Sequence, residues 1–370
     1  MVEEGMDYPG VFCSNCGEPY PNAHVPYCCS ICGGVYDFRG SFLFDPTKID
    51  HSEPGIWRFR HTFGLSPEVV PVSLGEGDTP LLWVKALGRE IALKCDYLNP
   101  SGSFKDRGSA VMTAWLRSRG VTEVVEDSSG NAGASLAAYA ARAGIKTRIF
   151  IPEYASGPKR RQIEAYGAEL FPIPGSRSDV TKAVRKVSDN GTVYASHAYS
   201  PFNLPGYASA AYEIFEQVGK MPGAVVVPAG QGGLLLGLAR GFDALRKVYN
   251  NDPIPLIIGV QARACAPLWA LWAGRDGVME PATEDGTLAE GVRVPNPVRG
   301  EAVRSAVLAS RGIMCVVDEK DIMPARDALA RLGFYVEPTS AIAWATLIRV
   351  IDKLPDPIVV VLTGSGLKYG

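Results

Sequence analysis

The chain has 370 residues, of which 46% are hydrophobic. That composition supports a sizeable core, excludes a disordered protein, and at this length favours more than one domain. The formal net charge is −2, so no overall basic field invites nucleic acid or an anionic membrane. Apolar runs such as residues 254–260 and 358–362 have the length of strands, far short of a membrane span. The acidic start, residues 1–5, lacks the layout of a signal peptide. The expectation is a cytoplasmic protein with neither a membrane nor a nucleic acid as partner.

Five of the eight cysteines fall within the first 32 residues. Cys13-Ser14-Asn15-Cys16-Gly17 and Cys29-Ser30-Ile31-Cys32-Gly33 are two knuckles of one design. Two residues between the cysteines let both sulfurs face one ion, and the glycine permits the turn behind them. Cys13, Cys16, Cys29 and Cys32 therefore predict a tetrahedral four-thiolate site, the closed arrangement of structural zinc. Cys28 adjoins Cys29 and competes with it for the ion; His24 is a weaker rival. No lysine or arginine lies between Cys13 and Cys32, which argues for a structural staple rather than a phosphate-contacting ribbon. Cys95, Cys265 and Cys315 read as small core residues.

Residues 45–71 have weak periodicity and are expected to wrap the surface. From residue 91 onward short apolar runs alternate with helical patterns. Strands are predicted at 91–95, 121–126, 147–152, 225–227, 256–260 and 358–362. Helices are predicted at 109–119, 134–143 and 158–166, with another beginning at 235. This alternation predicts an α/β fold with doubly wound, parallel-rich sheets, and ligands at the loops leaving the carboxyl ends of the strands.

The segment Asn99-Pro100-Ser101-Gly102-Ser103-Phe104-Lys105-Asp106-Arg107-Gly108 sets a lysine in a small-residue turn before a helix. The positive end of the helix dipole discourages protonation of such an amine, and an unprotonated lysine can form a Schiff base. A plain turn with Lys105 and Arg107 solvated is the competing reading. Three further loops decide between them. Ser128-Ser129-Gly130-Asn131 follows a strand and opens a helix, where backbone N–H groups suit a carboxylate. Gly230-Gln231-Gly232-Gly233-Leu234 lies between a strand and a helix and suits a phosphate. No Gly-Lys-Ser/Thr follows it, and the dinucleotide spacing is incomplete, so a monophosphate fits better than a nucleotide. Thr363, after a buried strand, offers a neutral hydroxyl to a ring nitrogen. A Schiff-base lysine, an anion site, a phosphate cradle and a neutral hydroxyl are together what pyridoxal 5′-phosphate requires.

At this point the chain resembles the fold type II pyridoxal-phosphate enzymes, and among them the threonine synthase family. The carriers are Gly75-Glu76-Gly77-Asp78-Thr79-Pro80-Leu81, Ser103-Phe104-Lys105-Asp106, Ser128-Ser129-Gly130-Asn131, residues 230–234, Glu337-Pro338-Thr339-Ser340 and residues 362–368. The knuckles resemble the amino-terminal ribbon of some members. The resemblance implies that Lys105 holds the cofactor and removes the substrate α-proton, and that Asn131 bonds the ring hydroxyl. It implies that Gly230, Gln231, Gly232, Gly233 and Leu234 cradle the phosphate and that Thr363 faces the pyridine nitrogen. Ser128 and Ser129 would help hold the carboxylate of a small amino-acid substrate, with Asn203 also in the substrate region. The implied reaction is O-phosphohomoserine plus water to threonine plus phosphate, in a homodimer. The implied organisation is a ribbon over 1–40, a large domain over 41–97 and 205–370, and a smaller domain over 98–204.

The match fails at one place. Asn203 stands where the family carries an arginine for the substrate phosphate, and Ala208 where it carries a lysine. Neutral groups replace such cations poorly. Lys159, Arg160 and Arg161 form a compensating group or, more simply, a solvated basic face. The alternatives that follow are a serine/threonine deaminase, a β-replacement enzyme of the cysteine synthase kind, and a non-catalytic binding protein on the same fold.

Overall fold

The computed structural model describes residues 10–155, 157–249, 253–274 and 286–369; the acidic start lies outside them. The ribbon comes first, with β1 (Val11–Cys13) antiparallel to β2 (Tyr36–Phe38). The body follows as β3 (Leu81–Ala86), β4 (Arg89–Lys94), α1 (Lys105–Ser118), β5 (Glu123–Glu126), α2 (Asn131–Ala143), β6 (Lys146–Pro152), α3 (Pro158–Ala165), β7 (Glu169–Ile173), α4 (Arg177–Asp189) and β8 (Val193–Tyr194). It continues with α5 (Leu204–Val218), β9 (Ala224–Pro228), α6 (Gly233–Tyr249), β10 (Leu256–Ala262), α7 (Pro267–Trp272), α8 (Gly300–Ala309), β11 (Ile313–Val317), α9 (Glu319–Arg331), α10 (Pro338–Val350) and β12 (Ile358–Val361).

Two sheets organise the body. One runs β11-β10-β9-β12-β4-β3, parallel except for the β3–β4 pair; the other runs β7-β6-β5-β8 and is parallel throughout. Every residue of β9 and β12 is buried, as expected of parallel strands covered on both faces. The α/β expectation holds. Among the described residues no helix is long and apolar enough to cross a membrane.

Two expectations change. Residues 45–71 do not merely wrap the surface: Ile56, Trp57, Phe59, Phe63 and Val69 are buried in the main core. Ile56, Trp57 and Phe59 lie on a 3₁₀ helix over Gly55–Thr62 that kinks at Phe59, so no regular α or β period marks them. The helix predicted to begin at 109 begins at Lys105. Asp106 and Arg107 interrupt its apolar pattern, yet both are buried and partnered within the protein.

The ribbon is fastened to the body by charge and by rings. Asp37 on β2 receives two hydrogen bonds from Arg240 on α6, at 2.7 and 2.9 Å. Arg299 donates to the carbonyls of Tyr36 (2.7 Å), Tyr199 (2.8 Å) and Ala198. The Tyr20 ring meets Trp115 of α1 and Phe202 edge-on.

Candidate active site

Five loops leaving the carboxyl ends of β4, β5, β8, β9 and β12 carry the candidate residues, the position at which α/β sheets bind ligands. The turn before Lys105 is stitched to the loop after β12. Phe104 N–H donates to Thr363 O at 2.9 Å and Ser365 N–H to Gly102 O at 3.0 Å. Asp106 fixes the turn from below, accepting from Ser101 N–H and Oγ and from Ser135 Oγ on α2, at 2.5–2.6 Å.

Lys105 is thus the first residue of α1, with its ammonium 4.8 Å from the centre of the Phe104 ring and 5.9 Å from that of Tyr207. Burial lowers the amine to about 8, against the opposing attraction of Glu126 and Glu337. Desolvation outweighs neighbouring charge here. The solvated alternative fails for Arg107 too, which is fully buried.

Asn131 opens α2 and its Nδ2 donates to both carboxylate oxygens of Glu337, each at 3.0 Å. Glu337 in turn donates its backbone N–H to Gly364 O at 3.0 Å, so the Asn131 and Thr363 loops are joined. A Cβ on Gly133 would lie 1.9 Å from Ser128 O; only glycine lets α2 press against the Ser128 loop so closely. Ser128 and Ser129 remain partly exposed there.

Thr363 is buried, its Oγ1 3.0 Å from Ser340 Oγ. Ser340 Oγ already accepts from the N–H groups of Thr363 (2.9 Å) and Gly364 (3.0 Å). With both lone pairs in use, its one proton goes to Thr363 Oγ1 or to Gly364 O at 3.3 Å, and either way the Thr363 proton is left for an acceptor in the site. At the third loop, Gly232 has φ +80° and a Cβ on Gly230 would lie 2.6 Å from Gly291 O. Gln231 Oε1 receives Val298 N–H at 3.2 Å. A Cβ on Gly233 would lie 3.3 Å from the Tyr207 ring, the ring that also faces Lys105. Leu234 is buried in the first turn of α6.

These residues fit pyridoxal phosphate on two counts. Ser103 Oγ and Asn131 Oδ1 are buried without a partner, a cost that a bound polar ligand removes. The glycine-rich backbone at 230–233, with three glycines in four residues, opens onto the start of α6, which suits a phosphate.

The substrate region is arranged differently. Asn203 is buried and its Nδ2 donates to the His197 carbonyl at 2.8 Å. Ala208 is buried on α5, and a Cβ on Gly241 of α6 would lie 2.8 Å from its carbonyl oxygen. Lys159 is not part of a solvated face. Only 14% of its side chain is exposed, and Nζ lies 3.5 Å from Glu337 Oε2. Arg160 pairs with Glu164 at 3.2 Å. Sequence reasoning passed over Glu126, whose Oε1 lies 2.7 Å from His197 Nδ1; its one signal was an acid at the carboxyl end of a strand, where α/β sheets place ligands.

The four predicted metal ligands converge. The Sγ atoms of Cys13, Cys16, Cys29 and Cys32 lie within 4.8 Å of one another. The knuckles fold alike, with Gly17 N–H donating to Cys13 O at 3.0 Å and Gly33 N–H to Cys29 O at 2.8 Å. Cys28 stands outside this group.

Comparison with known proteins gives the same reading. Residues 72–364 match the family profile "Pyridoxal-phosphate dependent enzyme". The fold is similar to that of the T.th. threonine deaminase, with a TM-score of 0.69 and 29% identity, covering 79% of this chain and 94% of that one. The class is a fold type II pyridoxal-phosphate enzyme. In sequence the chain is 33% identical to threonine synthase of Methanocaldococcus jannaschii, covering 96% of this chain and 92% of that one. It is 32% identical to threonine synthase of Mycobacterium tuberculosis, covering 87% and 91%. The chain belongs to the threonine synthase family.

Proposed function

We propose that the protein is a threonine synthase, converting O-phosphohomoserine and water to threonine and phosphate. The observation that carries this is the similarity to threonine synthases along nearly the whole chain, joined to a site whose five loops suit the required cofactor. Pyridoxal phosphate supplies an electron sink for the pair left when the α-proton departs. Lys105 holds the cofactor and, as an amine lowered by burial, takes that proton. Asn131 Oδ1 accepts from the ring hydroxyl. Gly230, Gln231, Gly232, Gly233 and Leu234 hold the phosphate, and Thr363 donates to the ring nitrogen. A neutral partner there makes a milder sink than a carboxylate would, which suits loss or replacement of a side-chain group.

Ser128 and Ser129 hold the substrate carboxylate. Asn203 acts from beneath, steadying the His197 carbonyl, and Lys159 is the cation this reading offers the substrate phosphate. The working division of the chain is the ribbon at 1–40, a large domain at 41–97 with 205–370, and a smaller one at 98–204. A cytoplasmic homodimer is the working state.

The test is a substrate panel on purified protein: O-phosphohomoserine, threonine, serine, O-acetylserine and O-phosphoserine. Phosphate and threonine should appear together from O-phosphohomoserine. Their absence, with 2-oxo acid formed from threonine, would replace this reading by a deaminase.

The metal is zinc on the same footing, since four thiolates in a closed tetrahedron select it. Purified protein should carry about one zinc per chain. The double variant Cys13→Ser/Cys32→Ser should lose it and unfold at lower temperature. Zinc retained in full by that variant would refute the assignment.

A further inference from the structure

Beside Lys105 lies an acid–base pair that the proposed chemistry leaves idle. Glu126 ends β5 and His197 follows β8; Glu126 Oε1 and His197 Nδ1 are 2.7 Å apart. The ring is held at Nδ1 by Glu126, and its backbone is held by Asn203, whose Nδ2 donates to the His197 carbonyl at 2.8 Å. No described residue hydrogen-bonds its Nε2, and 21% of the side chain is open. Asp127, the neighbouring acid, is engaged elsewhere, with Thr181 at 2.7 Å and Arg177 at 3.3 Å.

The surroundings favour the uncharged form of each partner. Burial, then Asp127, pushes the Glu126 carboxyl well up, against Arg177 and Lys105. Burial, then Lys105 and Arg177, pushes the His197 imidazolium well down. A protonated Glu126 donates from Oε1 to Nδ1, and the imidazole then carries its hydrogen on Nε2. The geometry agrees: Glu126 Oε2 is buried without a partner, which a neutral carbonyl tolerates better than a carboxylate oxygen does.

We propose that His197 is the general acid for the oxygen that leaves the substrate side chain, with Glu126 resupplying its proton. As the carbon–oxygen bond breaks, its electron pair stays on oxygen and the Nε2 proton joins that oxygen. The double bond closes with the electrons of the C–H bond on the carbon next to the one that loses the oxygen (α for a β-oxygen, β for a γ-oxygen), and Lys105 receives that proton. The Glu126 proton passes to Nδ1, leaving a carboxylate beside Lys105, which has just become an ammonium. One proton gained at Lys105 is matched by one lost at Glu126, so the charges arise together and attract. This role also answers the loss of cations at Asn203 and Ala208, because a proton on the leaving oxygen does part of what those cations would do.

The inference rests on the elimination chemistry proposed above, but its test is separate. The panel on wild-type holoenzyme reports the substrate. The variants are then compared on whichever substrate wild type turns over best. His197→Gln should keep exchange of the α-hydrogen with deuterated water, since Lys105 is intact, while product release falls about 10²-fold or more. Glu126→Gln, which keeps the shape of the carboxyl group, should show the same split at a smaller loss. Among substrates with different leaving groups, the loss should be greatest for hydroxyl and least for phosphate or acetate. Product release that falls only in step with exchange, or not at all, in both variants would overturn the proposal.

Discussion

Lys105→Ala will fold and will not turn over. Its side chain stands at the mouth of α1 and takes no part in the hydrogen bonds that hold the turn, which run through Asp106, Phe104 and Ser365. Removing the amine removes both the cofactor anchor and the base, so kcat should fall by about 10³-fold or more. Wild-type protein loaded with pyridoxal phosphate should be yellow, and borohydride should bleach it and fix the added mass on Lys105. The variant should bind pyridoxal phosphate reversibly and keep nothing after reduction. The amine titrates near 8 because burial disfavours its charged form. Capture of the cofactor by the stripped protein should therefore accelerate as pH rises from about 7 to about 9 and then level off. An ordinary lysine would keep accelerating to about pH 10 and beyond. Turnover by Lys105→Ala at the wild-type rate would end the assignment of Lys105 as anchor and base.

The loops were legible because their chemistry is local. Lys105, Asn131, Thr363 and residues 230–234 each declared themselves within a few positions of chain, by small residues at a strand-to-helix junction. The knuckles were legible for the same reason, and the structure adds which cysteine of the 28–29 pair joins the cluster. What sequence could not show is who faces whom. Glu126 and His197 are 71 positions apart; the first closes a predicted strand and the second lies in a loop with no pattern. Lys159 read as one of three consecutive cations, although α3 turns it inward to Glu337 and leaves Arg161 exposed. The ribbon read as a separate staple. Instead Arg299 ties its Tyr36 carbonyl to those of Ala198 and Tyr199, and its neighbour Val298 holds Gln231 of the 230–234 loop. A single short segment thus links the cysteine ribbon, the His197 loop and the 230–234 loop, through side-chain-to-backbone contacts that no local pattern encodes.

The second large effect is on stability. Arg107 reads in sequence as a surface cation, yet it anchors a buried charge cluster behind the active turn. It donates to Asp96 through Nε and Nη2 at 2.9 Å, and to Glu213 at 2.8 and 2.7 Å. Lys94 Nζ donates to Glu213 Oε2 at 2.6 Å. Two cations and two carboxylates balance, and all four side chains are fully buried. Glu213→Ala leaves two buried cations against one acid, and such a break costs about 3–5 kcal/mol. The expected result is a large fall in thermal midpoint, with loss of soluble protein the extreme outcome. Glu213→Gln keeps the shape and should fall between that and wild type. The pH dependence has a definite sign. Burial alone would raise the Glu213 carboxyl, but Arg107 and Lys94 outweigh it and lower it from 4.5 to about 2. Its contribution is therefore complete above the unfolded value and is lost as pH falls from about 4.5 through about 2. Wild-type stability should drop more steeply across that window than the stability of Glu213→Gln, measured by denaturant unfolding at each pH. Parallel curves for the two proteins would mean that the cluster is not held together by this carboxylate, and that the turn carrying Lys105 rests on packing alone.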